Sequence, residues 1–157
     1  MKRLRNVMLS LAMLFVIVLS TACSSKETTA TKTFVKEQNG VKVTLVYTYI
    51  EKDDKVVKQT SKTEALFSAF QGRDIEQLKK QIQDVSAKYQ GIKGLKETLD
   101  IQEDKFVEEV EVDYTDFDYE KAKGLPGMVF TGNPSTNKVS MEKSAEMLKS
   151  QGFEEQK

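Results

Sequence analysis

Ten residues, VKVTLVYTYI from Val41 to Ile50, alternate strictly between two sets of side chains. Val41, Val43, Leu45, Tyr47 and Tyr49 form one set, and Lys42, Thr44, Val46, Thr48 and Ile50 form the other. A period of two in β-branched and aromatic residues is the mark of a strand with distinct faces. The chain supplies a partner at once. Lys52-Asp53-Asp54-Lys55 has turn chemistry, and Val56 to Thr63 can return beside the first strand as a hairpin.

The period then changes. Ile75, Leu78, Ile82, Val85 and Tyr89 recur every three or four residues, with Asp74 placed to cap the first turn and Gly91 placed to end the last. This predicts an amphipathic helix over 75–89. Its apolar seam is too short for a coiled coil, which places it on a sheet. A second hairpin follows, with arms at 95–102 and 106–115 and Glu103-Asp104-Lys105 as its turn. Val110, Val112 and Tyr114 face one way there, and Glu109, Glu111 and Asp113 the other. Leu125-Pro126-Gly127 suits a tight turn. Met128–Thr131 is expected as a short strand and 132–138 as a loop, after which Ser140 caps a last helix through Ser150, stopped at Gly152. Two hairpins and two helices without strand-helix-strand alternation predict an α+β fold. The expected form is a two-layer sandwich, its mainly antiparallel sheet carrying helices on one face.

Ahead of this lies a different kind of segment. Lys2, Arg3 and Arg5 precede a run of 13 residues, Val7 to Leu19, whose only polar member is Ser10, and small residues follow at Ser20, Thr21 and Ala22. Charged, apolar and small regions in that order make a secretory signal peptide. A bilayer-spanning helix needs about 20 residues. Cys23, the single cysteine of 157 residues, comes next, in a context that resembles a bacterial lipobox. Ser20 stands three residues before it, where leucine is commonest. Lipidation at Cys23 explains a lone thiol at this point: it has no partner for a disulfide, and two acyl chains on one residue give durable attachment. The expected organisation is a signal peptide at 1–22, a lipidated cysteine with a flexible tether at 23–33, and one domain at 34–157.

Cleavage before Cys23 removes three of the 24 basic residues and none of the 24 acidic ones, leaving a net charge of −3. That gives no electrostatic case for nucleic acid. The chain has no histidine, so the commonest general base and zinc ligand are missing. No nucleotide, hydrolase or metalloprotease motif is present. No catalytic residue, metal site or cofactor is expected.

Three features remain as surfaces. Residues 103–120 hold nine carboxylates against Lys105, a pattern that ordinarily means a solvated sheet face. Tyr47, Tyr49, Tyr89, Tyr114, Phe117 and Tyr119 could line a groove, although most fall on faces expected to be core. Gly91, Gly94, Gly124, Gly127 and Gly132 mark two loop regions expected to meet at one edge, with Lys93, Met128 and Phe130 as candidate contacts.

Three segments, Lys88–Leu99, Glu111–Met128 and Lys143–Glu155, resemble the YehR-like family of small bacterial lipoproteins. The resemblance implies a small α+β domain on a lipid anchor, in a family without an assigned biochemical role, and it transfers no catalytic residue. The expected role is that of a non-catalytic cell-envelope lipoprotein binding an unidentified protein or small ligand. It would sit on the extracytoplasmic face of the cell membrane, or on the inner leaflet of the outer membrane in a Gram-negative source. Two alternatives stand beside it: an envelope enzyme, and a signalling peptide released from the leader.

Overall fold

The computed structural model describes residues 28–126 and 139–157. Its sheet begins earlier in the chain than the alternating stretch, with β1 (Thr29–Gln38), which turns through Asn39-Gly40 into β2 (Val41–Ile50). Both turn residues have positive φ, 52° and 79°. That is the geometry a two-residue hairpin needs, and Asn-Gly adopts it at little cost. The expectation of a flexible tether through Thr33 is thereby corrected, because Thr29 to Thr33 pair with Ile50 to Val46. These threonines need no apolar content to join the sheet. A neighbouring strand offers their backbone groups partners, and β-branched side chains suit the pleat.

A 3₁₀ turn at Glu51–Asp53 leads to β3 (Lys55–Leu66), and a second at Phe67–Phe70 precedes helix α1 (Ile75–Tyr89). The predicted limits of α1 match the structure, with the Asp74 carboxylate accepting from the Gln77 amide at 3.0 Å. Then come β4 (Leu95–Ile101), β5 (Lys105–Asp113), a single turn α2 (Tyr119–Ala122), α3 (Met141–Ser150) and β6 (Glu154–Gln156). The strand expected at Met128–Thr131 lies outside the described residues. Neither α2 nor β6 was legible from periodicity, since one turn or three residues show no period.

The sheet order is β4-β5-β3-β2-β1-β6, with every pairing antiparallel. This is an α+β fold. Register decides which residues share a face. Phe34, Leu45, Ser61, Val110 and Glu97 form one continuous row across five strands, flanked by rows that run Lys32-Tyr47-Gln59-Val112-Leu95 and Lys36-Val43-Thr63-Glu108-Leu99. Met141, Ala145 and Leu148 of α3 pack on Phe34, Leu45, Tyr47 and Val56 at one end of this face. At the other end, Tyr89 and Leu78 of α1 belong to two clusters built on Leu95, Val112 and Phe117 and on Ala65, Phe67 and Phe106. Gln59, Ser61 and Thr63 of the central strand separate the two ends. The reverse face is polar, as expected for the acidic arm: β3 sets Lys62 opposite Glu109 and Lys58 opposite Asp113, and Lys58 pairs with Glu111 at 2.8 Å.

Candidate functional site

Strand β4 contains a conflict between local pattern and chemistry. Its alternation turns Leu95, Glu97, Leu99 and Ile101 toward α1 and leaves Lys96, Thr98 and Asp100 exposed. Glu97 therefore sits where the pattern demands an apolar residue, and it is only 9 % exposed. Burying a carboxylate is costly unless donors replace water. Helix α1 provides two. Ser86 Oγ donates to Glu97 Oε2 at 2.9 Å, and Gln90 Nε2 donates to the same oxygen at 2.8 Å. The other oxygen, Oε1, is buried with no hydrogen-bond partner among the described residues.

Beside Glu97 opens a cleft of about 390 Å³, walled by Gln83, Ser86, Ala87 and Gln90 of α1 and by Glu97, Leu99 and Ile101 of β4. The helix positions follow from its pitch: residues 83, 86, 87 and 90 recur every three or four and share the stripe beside its apolar seam. Glu108 lies opposite Leu99 on the same sheet face, diagonal to Glu97. Burial first, and the Glu97 charge second, raise its carboxyl above the usual 4.5. Burial also raises the Tyr89 phenol, with Glu108 and Glu97 adding to the effect, and its hydroxyl donates to the Pro126 carbonyl. Glu97 thus lines a cleft with Gln83, Ser86 and Gln90 on its polar side and Ala87, Leu99 and Ile101 on its aliphatic side, Glu108 lies nearby on the same sheet face, and no Lys or Arg of the described residues forms an ion pair with either acid.

The candidate contacts from the glycine loops fare differently. Lys93 is exposed in the turn between α1 and β4, where Asp116 pairs with it at 2.5 Å and raises its ammonium pKa through their hydrogen bond. Met128 and Phe130 lie outside the described residues. The Lys93 carbonyl accepts from the Asp118 amide at 3.0 Å, which lies ahead of the second glycine loop, and Leu125 of that loop packs against the cluster to which Ile92 belongs. Gly94 has φ +73°, and a Cβ there would come within 2.7 Å of the Phe117 backbone. The glycine belongs to this close approach.

The aromatic residues are mostly core. Tyr47 stacks edge-on against Phe34 with centroids 6.1 Å apart, and burial lifts its phenol to about 12. The Tyr114 hydroxyl donates to Gln59 Oε1 at 2.7 Å. Among the described residues no group of three or more acidic, histidine or cysteine side chains could hold a metal ion. Glu97 escaped the sequence reading because nothing in composition marks it. Its signal was there in LKETLDI, where alternation puts a carboxylate on the inward face.

Residues 30–154 match the model of a family described as a protein of unknown function (DUF1307). The chain belongs to this family. It is 43% identical over 155 residues to an uncharacterized lipoprotein of Listeria innocua, covering 99% of this chain and 98% of the relative. It is also 31% identical over 153 residues to the uncharacterized lipoprotein YehR of Escherichia coli, covering 97% of each. The NMR structure of the Escherichia coli YehR protein superposes with a TM-score of 0.65 at 28% identity, over 82% of this chain and 91% of that one. A Streptococcus pneumoniae protein solved by NMR shares the fold, with a TM-score of 0.52 at 20% identity, over 88% of this chain and 92% of that one.

Proposed function

We propose that the chain is a cell-envelope lipoprotein, held to the membrane by acyl chains on Cys23, whose folded part is a non-catalytic binding module. The lipobox-like context of Cys23 and the lipoprotein names of its relatives support the anchor. The folded part is a two-layer sandwich, supported by the register that gathers its core residues on the helix-bearing face. It faces out of the cytoplasm, since a leader of this kind directs export.

One observation carries the binding role: the buried, unpartnered Oε1 of Glu97 in the α1–β4 cleft. A buried polar atom without a partner costs about 1–3 kcal/mol, a cost that an incoming donor removes. The competing reading, an envelope enzyme, draws on the Ser86 hydroxyl donating to Glu97. A carboxylate is a weak base for an alcohol, and the cleft shows no third group that would activate the pair. A leader-derived signalling peptide is set aside, because any signal peptide is apolar at that point.

Two experiments test the proposal. Cys23→Ala should leave an uncleaved and unlipidated precursor by intact mass, and processing of that variant after Ala22 would refute the anchor. A photocrosslinking residue placed at Gln83 should capture an adduct in intact cells that one placed at Thr60, on the reverse face, does not. Identical adduct profiles at the two positions would refute the cleft.

A further inference from the structure

Ser86 and Gln90 both donate to Oε2 of Glu97, and Oε1 has no hydrogen-bond partner among the described residues. What Oε1 lacks is a donor, preferably a charged one. Glu108 adds a second carboxylate on the same face, and neither acid has an ion-pair partner among the described residues. The neighbouring wall at Leu99, Ile101 and Ala87 is aliphatic. A divalent cation fits poorly, because hard cations take six or more oxygens and among the described residues no group of three or more acidic, histidine or cysteine side chains could hold one.

From this geometry we infer that the cleft binds a primary ammonium group on an unbranched aliphatic chain, its N–H groups on Glu97 Oε1 once a turn of the carboxylate brings that buried oxygen to the cleft, and its methylenes along Leu99 and Ile101. The inference rests on the cleft being the binding site, as proposed above. Two sources carry this chemistry: a free alkylamine, and a lysine side chain on an extended peptide. The second has a structural opening. The Asp113 amide donates to the Gly94 carbonyl and the Gln102 amide to the Lys105 carbonyl, so the even-numbered residues of β4 bond to β5. The amides of Glu97 and Leu99 point outward from the end strand, where an added strand could pair with them.

Calorimetric titration of the full chain in detergent micelles tests this with 1,5-diaminopentane, 1-pentanol, tetramethylammonium and calcium chloride. The diamine should bind saturably, at least tenfold more weakly to Glu97→Gln and more weakly to Glu108→Gln, yet equally to Glu111→Gln on the reverse face. Glu97→Gln is near-isosteric but buries amide N–H groups without an acceptor, so its binding is read below its own melting temperature with parent-like circular dichroism, which separates lost binding from lost folding. A peptide acetyl-Val-Thr-Val-Lys-Val-Thr-amide that binds at least tenfold tighter than the diamine, and loses this with norleucine for lysine, identifies the peptide source. Equal or weaker peptide binding identifies the free amine. The inference is overturned by no saturable diamine binding, by binding that Glu97→Gln leaves intact, or by pentanol, tetramethylammonium or calcium binding as tightly. A Gln83 crosslink in cells together with no diamine binding would keep the cleft and discard the ammonium.

Discussion

Helices α3 and α1 cover opposite ends of one sheet face, and the surfaces they cover differ in kind. Under α3, Phe34, Val56 and Met141 are all but completely buried, at 0 %, 1 % and 1 % exposure, and the cluster around them is apolar throughout. Under α1, the same row that begins with Phe34 ends in Glu97, and the next row places Glu108 on the same face diagonal to it. The α3 end satisfies its polar groups as well. Ser140 caps the helix, its hydroxyl donates to Asp54, and Asp54 Oδ1 accepts from the Glu142 amide at 2.9 Å. One end therefore spends its residues on stability, and the other keeps an unsatisfied acid beside an open cleft. Such a group takes its missing donor from water or from a ligand.

The comparison breaks most visibly at Phe34. Phe34→Ala should cost about 3–5 kcal/mol in urea unfolding, because the site is closed on every side and a cavity would remain. A loss near 1 kcal/mol would mean that the α3 end is no tighter than the other.

Gly94→Ala comes next. Its φ of +73° and the contact with backbone at Phe117 together predict a loss of about 2–3 kcal/mol, at the upper end of local backbone strain. Gly91→Ala shares the φ of +73° but meets nothing within 4 Å, so it should lose only about 1–2 kcal/mol. Equal losses would show that the close approach of the 91–94 and 116–118 segments contributes nothing.

Asp54→Ala removes an acceptor from the first turn of α3 and should cost about 1–2 kcal/mol. Ser140→Ala should cost less once Asp54 is gone, since the two side chains act as one cap. Fully additive losses, read from the two single variants and the double, would separate them.

The smallest effect sharpens the contrast by its sign. Glu108 has a carboxyl raised above 4.5 by burial and by Glu97, so the folded state holds its proton more tightly than the unfolded state. Its contribution is most favourable below pH 4.5 and is lost as pH rises through the shifted value. Glu108→Gln should therefore melt slightly higher than the parent at pH 7, with the gap closing toward pH 4. Glu155, beside α3, behaves oppositely. Hydrogen bonds from Lys149 and then Lys32 hold its carboxyl below 4.5, so its small stabilisation is present at neutral pH and fades as pH falls. A Glu108→Gln gap that stayed constant with pH would mean that charge is not the cause.

Some of this was decided locally and could be read in advance. The limits of α1 follow from Asp74, the three-and-four spacing and the glycine beyond its end, all within one segment. Ser140 starts α3 in the same way, and alternation alone sets the faces of β2, β4 and β5. Strand β1 escaped the sequence reading, since its threonine-rich start resembles a tether and the Asn39-Gly40 turn before β2 was not used. Tertiary structure alone decided the strand order, the pairing of β6 with β1, and the join that runs Phe34 and Glu97 into one row. These are contacts between residues far apart in the chain, and periodicity carries no information about which strand lies beside which. The same holds for Oε1 of Glu97. Alternation can turn a carboxylate inward, but only the packing of α1 over β4 determines that one of its oxygens meets Ser86 and Gln90 while the other meets nothing.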